Sequence, residues 1–169
     1  SDVGAITVPG FVEYNGNAFS MEGEGHEIGG TADTFHYLYA RLEGNGVITA
    51  RVRRPMSSQW TTPGVMMRES LLPDSRHASV LLHPHWSGGL ISRKETGGET
   101  VTGRLEPLGE QYVIKKNRLS APYWIRLERI GDTFTGSMSP DGIRWQGLGS
   151  VLVKMEKAIY LGLPACSQL

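Results

Sequence analysis

The chain has 169 residues, 39% of them hydrophobic and 20% charged, which suits one globular domain spanning residues 1–169 with a sizeable core and excludes disordered or collagen-like classes. Seventeen basic residues balance seventeen acidic ones, so no net field favours nucleic acid or an anionic membrane as partner, and a neutral ligand fits better. No apolar run approaches the roughly 18 residues of a helical membrane span. Cys166 is the single cysteine, so it forms no intrachain disulfide and reads as a buried structural thiol. The start, Ser1-Asp2-Val3-Gly4, lacks the basic and apolar regions of a signal peptide. The expectation is that any leader was removed or lies ahead of other domains.

Twenty-two glycines and nine prolines punctuate short alternating segments, and no window of helical period stands out, so the chain reads as all-β. Asn15-Gly16 between Phe11 to Tyr14 and Ala18 to Met21 is a strong hairpin signal, because both turn positions favour positive φ. Thr34 to Leu42 and Val47 to Val52 form a second hairpin across Glu43-Gly44-Asn45-Gly46. Val65 to Glu69 follows, returned through Pro73-Asp74 into His77 to His83. Further strands are expected at Leu90 to Lys94, Tyr112 to Lys115, Tyr123 to Ile130, Thr133 to Met138, Ile143 to Leu148 and Ala158 to Leu163. In Tyr123 to Glu128, Tyr123, Ile125 and Leu127 face one way and Trp124, Arg126 and Glu128 the other, the alternation of a half-buried strand. Ser139-Pro140-Asp141-Gly142 is a tight turn. Strands at this spacing predict an antiparallel β-sandwich or barrel.

Thr62-Pro63-Gly64-Val65-Met66-Met67-Arg68-Glu69-Ser70-Leu71, followed by Ser75-Arg76-His77-Ala78, resembles a concanavalin A-like module of secreted bacterial multidomain proteins, of the "regulation of enolase"-like type. The chain is similar to that family again at Glu27-Ile28-Gly29-Gly30-Thr31-Ala32-Asp33-Thr34-Phe35-His36-Tyr37 and Ile48-Thr49-Ala50-Arg51-Val52. Further matches are Ala121-Pro122-Tyr123-Trp124-Ile125-Arg126-Leu127, Gly131-Asp132-Thr133-Phe134-Thr135-Gly136, Ser139-Pro140-Asp141-Gly142-Ile143-Arg144-Trp145 and Ile159-Tyr160-Leu161-Gly162-Leu163.

The resemblance implies a concanavalin A-like jelly roll that serves as a non-catalytic, carbohydrate-contacting accessory module of a secreted polysaccharide-active enzyme. Its implied partners are a neutral glycan or a neighbouring catalytic domain of the same chain; the alternative role is a spacer packing on that domain. The chain departs from the family in three places. Glu27-Ile28-Gly29-Gly30 stands where the family has Asp-Ile-Trp-Gly, and the segment between Gly98 and Ala121 is longer and more charged. The family also continues into one more strand after the Leu163 region, so the expectation is an excised piece lacking its closing strand, with an open sheet edge.

Three constellations could carry chemistry. A saccharide packs its C–H face on an aromatic ring and gives its hydroxyls to polar side chains. His83-Pro84-His85-Trp86 leads into the strand carrying Arg93, which makes Trp86 the expected stacking platform and His83, His85 and Arg93 the hydroxyl partners. Trp60 and Arg68 are the expected neighbours, Arg68-Glu69 supplying one structural ion pair, and Trp124 and Trp145 read as scaffold. For metal, His83 and His85 lie two apart and His77 begins the same strand, but no Cys or carboxylate lies at a convincing interval. No cofactor is expected; a structural calcium stays admissible, with Glu27 and Asp33 nearest to a ligand set. For catalysis, Glu22, Glu24 and Glu27 have the spacing of a glycosidase strand, where a retaining pair stands ~5 to 5.5 Å apart. Gly23 and Gly25 make that segment turn-like, and the resemblance covers Glu27 alone.

Overall fold

The computed structural model describes residues 1–25, 27–53, 61–83, 87–107 and 123–167. They form thirteen strands: β1 Asp2–Val3, β2 Phe11–Tyr14, β3 Phe19–Glu22, β4 Phe35–Glu43, β5 Gly46–Val52, β6 Thr61–Arg68, β7 His77–His83, β8 Ser87–Arg93, β9 Val101–Pro107, β10 Tyr123–Ile130, β11 Thr133–Ser139, β12 Gln146–Leu152 and β13 Ala158–Ser167. A seven-stranded sheet runs β1-β4-β13-β6-β7-β8-β9, a four-stranded sheet β12-β11-β10-β5, and β2 and β3 make a separate ribbon. The pairings are antiparallel. The fold is the expected antiparallel β-sandwich.

Period-two alternation builds the core between the sheets. Val65 and Met67 of β6 and Val80 and Leu82 of β7 meet Ile125 and Leu127 of β10 and Phe134 and Met138 of β11, all fully buried. The intervening residues of the large sheet face outward, yet many of them are also covered. Phe35, Tyr37, Met66, Leu81, Ile91 and Cys166 pack with Val3 and Ile28 in a second buried cluster. The cover is tied by backbone bonds from Asp33 N to the Pro73 carbonyl and from Thr100 N to the Gly30 carbonyl. Cys166 is the buried thiol the sequence suggests, and burial pushes it up to about 11.

Loop chemistry sets several strand ends. The expected β2–β3 hairpin is present, but it closes through a four-residue loop: Asn15 Oδ1 accepts from the backbone N–H groups of Asn17 and Ala18, Gly16 takes φ +84°, and β3 starts at Phe19 rather than Ala18. The β11–β12 turn is longer than expected. Asp141 Oδ1 accepts from the N–H groups of Ile143 and Arg144, holding Ile143 in the turn, so β12 starts at Gln146 rather than Ile143. The charged segment after Gly98 contains an extra edge strand, β9, paired with β8; Tyr112 to Lys115 lies outside the described residues. The C-terminal strand β13 is interior, hydrogen-bonded to β4 and β6, and the large sheet's edges are β1 and β9.

Candidate functional site

Two of the residues expected at a ligand site are structural. Arg68 and Arg93 are fully buried on the outer face of the large sheet. Register places Arg68 opposite His77 and His77 opposite Arg93, so three basic side chains share one row across β6, β7 and β8. Asp33, from the covering segment, meets them. Arg93 Nη2 donates to Asp33 Oδ1 at 2.7 Å and Nη1 to Oδ2 at 2.9 Å, while Arg68 Nη1 donates to Oδ2 at 3.2 Å.

The remaining guanidinium hydrogens go to loop carbonyls: Gly29, Gly30, Pro73, Ser75 and Gly98 for Arg93, and Ser70 and Leu72 for Arg68. Neither arginine offers a donor to a saccharide, which corrects that expectation: a loop far away in sequence seals the face that alternation alone leaves open. Asp33, saturated by cations, is likewise no calcium ligand. Arg68 supplies the ion pair foreseen for Arg68-Glu69, and Glu69 stands 3.7 Å from Arg76.

His77 is fully buried between the two guanidiniums. Its Nδ1 lies 3.0 Å from the Ser79 hydroxyl, and Nε2, 4.0 Å from Asp33, has no hydrogen-bond partner among the described residues. Burial, with the flanking arginines, pushes its pKa down to about 3 against the pull of Asp33, so His77 is a neutral core residue.

Trp60, His85 and Trp86 lie outside the described residues. His83 ends β7 opposite Ser87, and the description of it stops at the backbone. Glu22 closes β3 of the small ribbon, Glu24 accepts from Val8 N at 2.7 Å, and Glu27 is exposed at an isolated bridge to Thr34. None of the three sits on a strand of either main sheet, so no sandwich strand aims them as a pair.

The outer face of the four-stranded sheet is different, because its side chains face solvent. β10 turns Trp124, Arg126 and Glu128 outward; register sets Arg51 of β5 beside Trp124 and Thr49 beside Arg126. On the other flank, Ser137 and Thr135 of β11 stand beside Arg126 and Glu128. The Arg126 guanidinium lies 3.7 Å from the Trp145 ring centroid and donates through Nε to Thr49 Oγ1 at 3.3 Å. Arg51 stands 5.6 Å over Trp124. Such cation–π contacts contribute about 0.5–1 kcal/mol each at exposed sites.

The β11–β12 turn positions Trp145. Its indole N–H donates to the Gly142 carbonyl at 3.2 Å, and the Gly142 Cα packs so closely on Trp124 that a Cβ there would lie 2.9 Å from the ring. Asp141, holding four donors of this turn, has its carboxyl well below the usual carboxylate range, chiefly through the Arg144 and Ile143 N–H groups. Both tryptophans remain partly exposed. Thr135 and Ser150 hydroxyls, 2.8 Å apart, extend the face toward β12.

The face thus carries two half-exposed indoles, two guanidiniums, a carboxylate and a row of hydroxyls. Trp124 and Trp145, read from the sequence as scaffold, do pack on the Gly142 turn, yet both stay partly exposed: the period-two pattern that buries Ile125 and Leu127 turns Trp124 and Arg126 outward together. By contrast, the depression of about 280 Å³ beside Gly44, Asp132 and Lys157 has its cation committed. There Arg129 donates to the carbonyls of Gly131, Met155, Glu156 and Lys157.

No protein-family model matches the sequence, and no curated protein does. Among solved structures, the chain is similar to a functionally unknown protein from Saccharomyces cerevisiae, at TM-score 0.60 and 16% identity over 79% of this chain and 65% of that one. It is also similar to a xylan β-1,4-xylosidase from Bacillus halodurans (TM-score 0.53, 13% identity, 76% of this chain, 29% of that one). A third is the GH43 protein BlXynB from Bacillus licheniformis (TM-score 0.51, 10% identity, 79% and 25%). The chain spans less than two thirds of each. At these identities the likeness is one of fold: an antiparallel β-sandwich, found within longer chains.

Proposed function

We propose that this chain is a non-catalytic glycan-contacting module, a concanavalin A-like jelly roll belonging to a larger secreted polysaccharide-active protein. One observation carries the reading: the Trp145–Arg126–Trp124–Arg51 strip on a solvent-facing sheet, bordered by Thr49, Thr135 and Ser137. Flat indole surface meets sugar C–H faces, and the hydroxyls and guanidiniums supply directional partners. The occurrence of similar folds within a xylosidase and a GH43 protein supports this reading, as do the sequence motifs; fold analogy alone assigns no activity.

A second reading, a spacer packing on a catalytic domain of the same chain, draws on the β2–β3 ribbon, where Phe11, Tyr14 and Phe19 are each more than half exposed. Affinity gels loaded with xylan, pectin and other polysaccharides separate the two. Retardation abolished by Trp145→Ala supports the strip. Retardation abolished by Trp86→Ala instead moves the platform to the sequence-derived residues His83, His85 and Trp86. No retardation by any polysaccharide favours the spacer.

A further inference from the structure

The outer strip is basic in a chain whose net charge is zero. Several surface cations elsewhere meet carboxylates: Arg144 with Asp141 at 2.7 Å, Lys157 with Glu43 at 2.9 Å, Arg76 with Glu69 at 3.7 Å, whereas Arg41 meets the Tyr160 hydroxyl and ring. On the strip the guanidiniums meet no carboxylate among the described residues. Arg126 uses only Nε, on Thr49, and both of its Nη groups lack an acceptor among the described residues. Arg51, exposed and layered on Trp124, pairs with no acid among them. Arg53, just past β5, meets Asn17 Oδ1 at 3.5 Å and no carboxylate among the described residues. Against these three cations the face sets Glu128.

The register makes this geometry usable. Arg126 stands opposite Thr49, so Arg51, two residues along β5, is its diagonal neighbour, within reach of long side chains at about 7–8 Å. An anion resting on the strip therefore meets two guanidiniums that lie over tryptophan rings, Arg126 closely and Arg51 more loosely. Planar, pre-oriented guanidinium is the group that receives a carboxylate in two parallel hydrogen bonds. A sugar resting on the strip beside the indoles, rather than on the faces that Arg126 and Gly142 already cover, would set an exocyclic carboxylate within reach of those nitrogens.

We propose, on the basis of the glycan-contacting reading, that the strip selects acidic saccharides, with Arg126 and Arg51 receiving a uronate carboxylate while the indoles and the Thr49, Thr135 and Ser137 hydroxyls meet the ring. This replaces the neutral ligand that the overall charge balance suggests. Net charge describes the far field, whereas a ligand in contact meets the local groups. A single-stranded nucleic acid would also offer anions and stacking surfaces, but hydroxyl-lined strands and a short basic strip without a continuous backbone track favour sugar.

The test compares three probes on the full chain by calorimetry: a galacturonate oligomer, the same oligomer with its carboxyls methyl-esterified, and an oligothymidylate. The acid form should bind about tenfold tighter than the ester, the ratio one charge-assisted hydrogen-bonded pair supplies at a wet surface. Arg126→Gln and Arg51→Gln should each weaken the acid form more than the ester and so remove most of that preference, and added salt should shrink it. Equal binding of acid and ester, both lost in Trp145→Ala, overturns the selectivity and leaves the platform standing. Oligothymidylate binding as tight as the galacturonate overturns the assignment to sugar. Failure of both sugar probes and of neutral polysaccharides overturns the selectivity and the platform together.

Discussion

Asp33 neutralises part of a row of basic groups that register alone would force together. Arg68, His77 and Arg93 sit side by side on β6, β7 and β8, all fully buried. Placing them there is costly unless an anion and enough carbonyls meet them, and the covering segment supplies both. Asp33→Asn keeps the shape and removes the charge, leaving two buried guanidiniums without an anion. Breaking a buried pair in this way costs about 3–5 kcal/mol, to be read as a lowered urea midpoint with the cooperativity unchanged. A loss near zero would mean that the loop carbonyls alone hold the arginines.

His77 adds a pH dependence whose sign follows from its place in that row. Its folded pKa is lowered to about 3 from an ordinary 6.5, so between those values the unfolded chain binds a proton the folded chain refuses. Stability from this residue is full above about pH 6.5 and declines as pH falls toward 3. Between pH 6.5 and 5, above the usual carboxylate range, the decline should reach about 1–2 kcal/mol, at up to ~1.4 kcal/mol per unit. His77→Gln should flatten that part of the profile; an identical slope in the variant would locate the dependence in other histidines. The Arg68 and Arg93 site assignments fail for the same physical reason. Period two tells which side of a sheet a residue leaves from, but a segment more than thirty positions earlier decides whether that side meets water.

At the scale of elements, strand boundaries are legible where alternation and turn residues agree. β2, β7 and β10 have the ends the sequence predicts. β1, two residues long, carries no pattern to read, and β9 is an edge strand interrupted by Gly103 and ended by Pro107, so its sequence reads as loop. The start of β12 is hidden because side-chain hydrogen bonds of Asp141, not backbone propensity, hold Ile143 and Arg144 in the turn. Asp141→Ala should therefore loosen the seat of Trp145 and weaken glycan binding several-fold with little change in global melting. Equal affinity in that variant would show that Arg126 alone orients the indole. Packing between elements sets a stricter demand at Gly162, at the crowded β4–β13 contact. A Cβ there would lie 2.0 Å from the Leu38 carbonyl oxygen and 2.8 Å from the Tyr39 Cα, both backbone atoms. Gly162→Ala must push the strands apart and should cost at least the ~1–3 kcal/mol typical of overpacking, measured as a shift in the denaturation midpoint at constant slope.

Across the whole molecule, the two sheets use their outer faces in opposite ways. The seven-stranded sheet is covered over much of its outer face: Val3, Ile28 and Asp33 close over Phe35, Tyr37, Met66, Arg68 and Arg93, while Tyr39 and Arg41 at the far end of β4 stay exposed. The four-stranded sheet presents Trp124, Arg126 and Thr49 to solvent. The fully buried layer of Val80, Leu82, Ile125, Leu127 and Phe134 lies between them. Changes confined to one outer face share no partner with changes on the other, and such distant substitutions add to within about 0.3–0.5 kcal/mol. Asp33→Asn should lower stability while leaving glycan affinity as it was; Trp145→Ala should do the reverse, apart from the small loss of one cation–π contact. The double variant should carry the stability of the first and the affinity of the second. Coupling beyond that margin, in either the urea midpoint or the affinity, would mean that the sheets shift against each other when the cover loosens, and that the open face depends on the covered one for its shape.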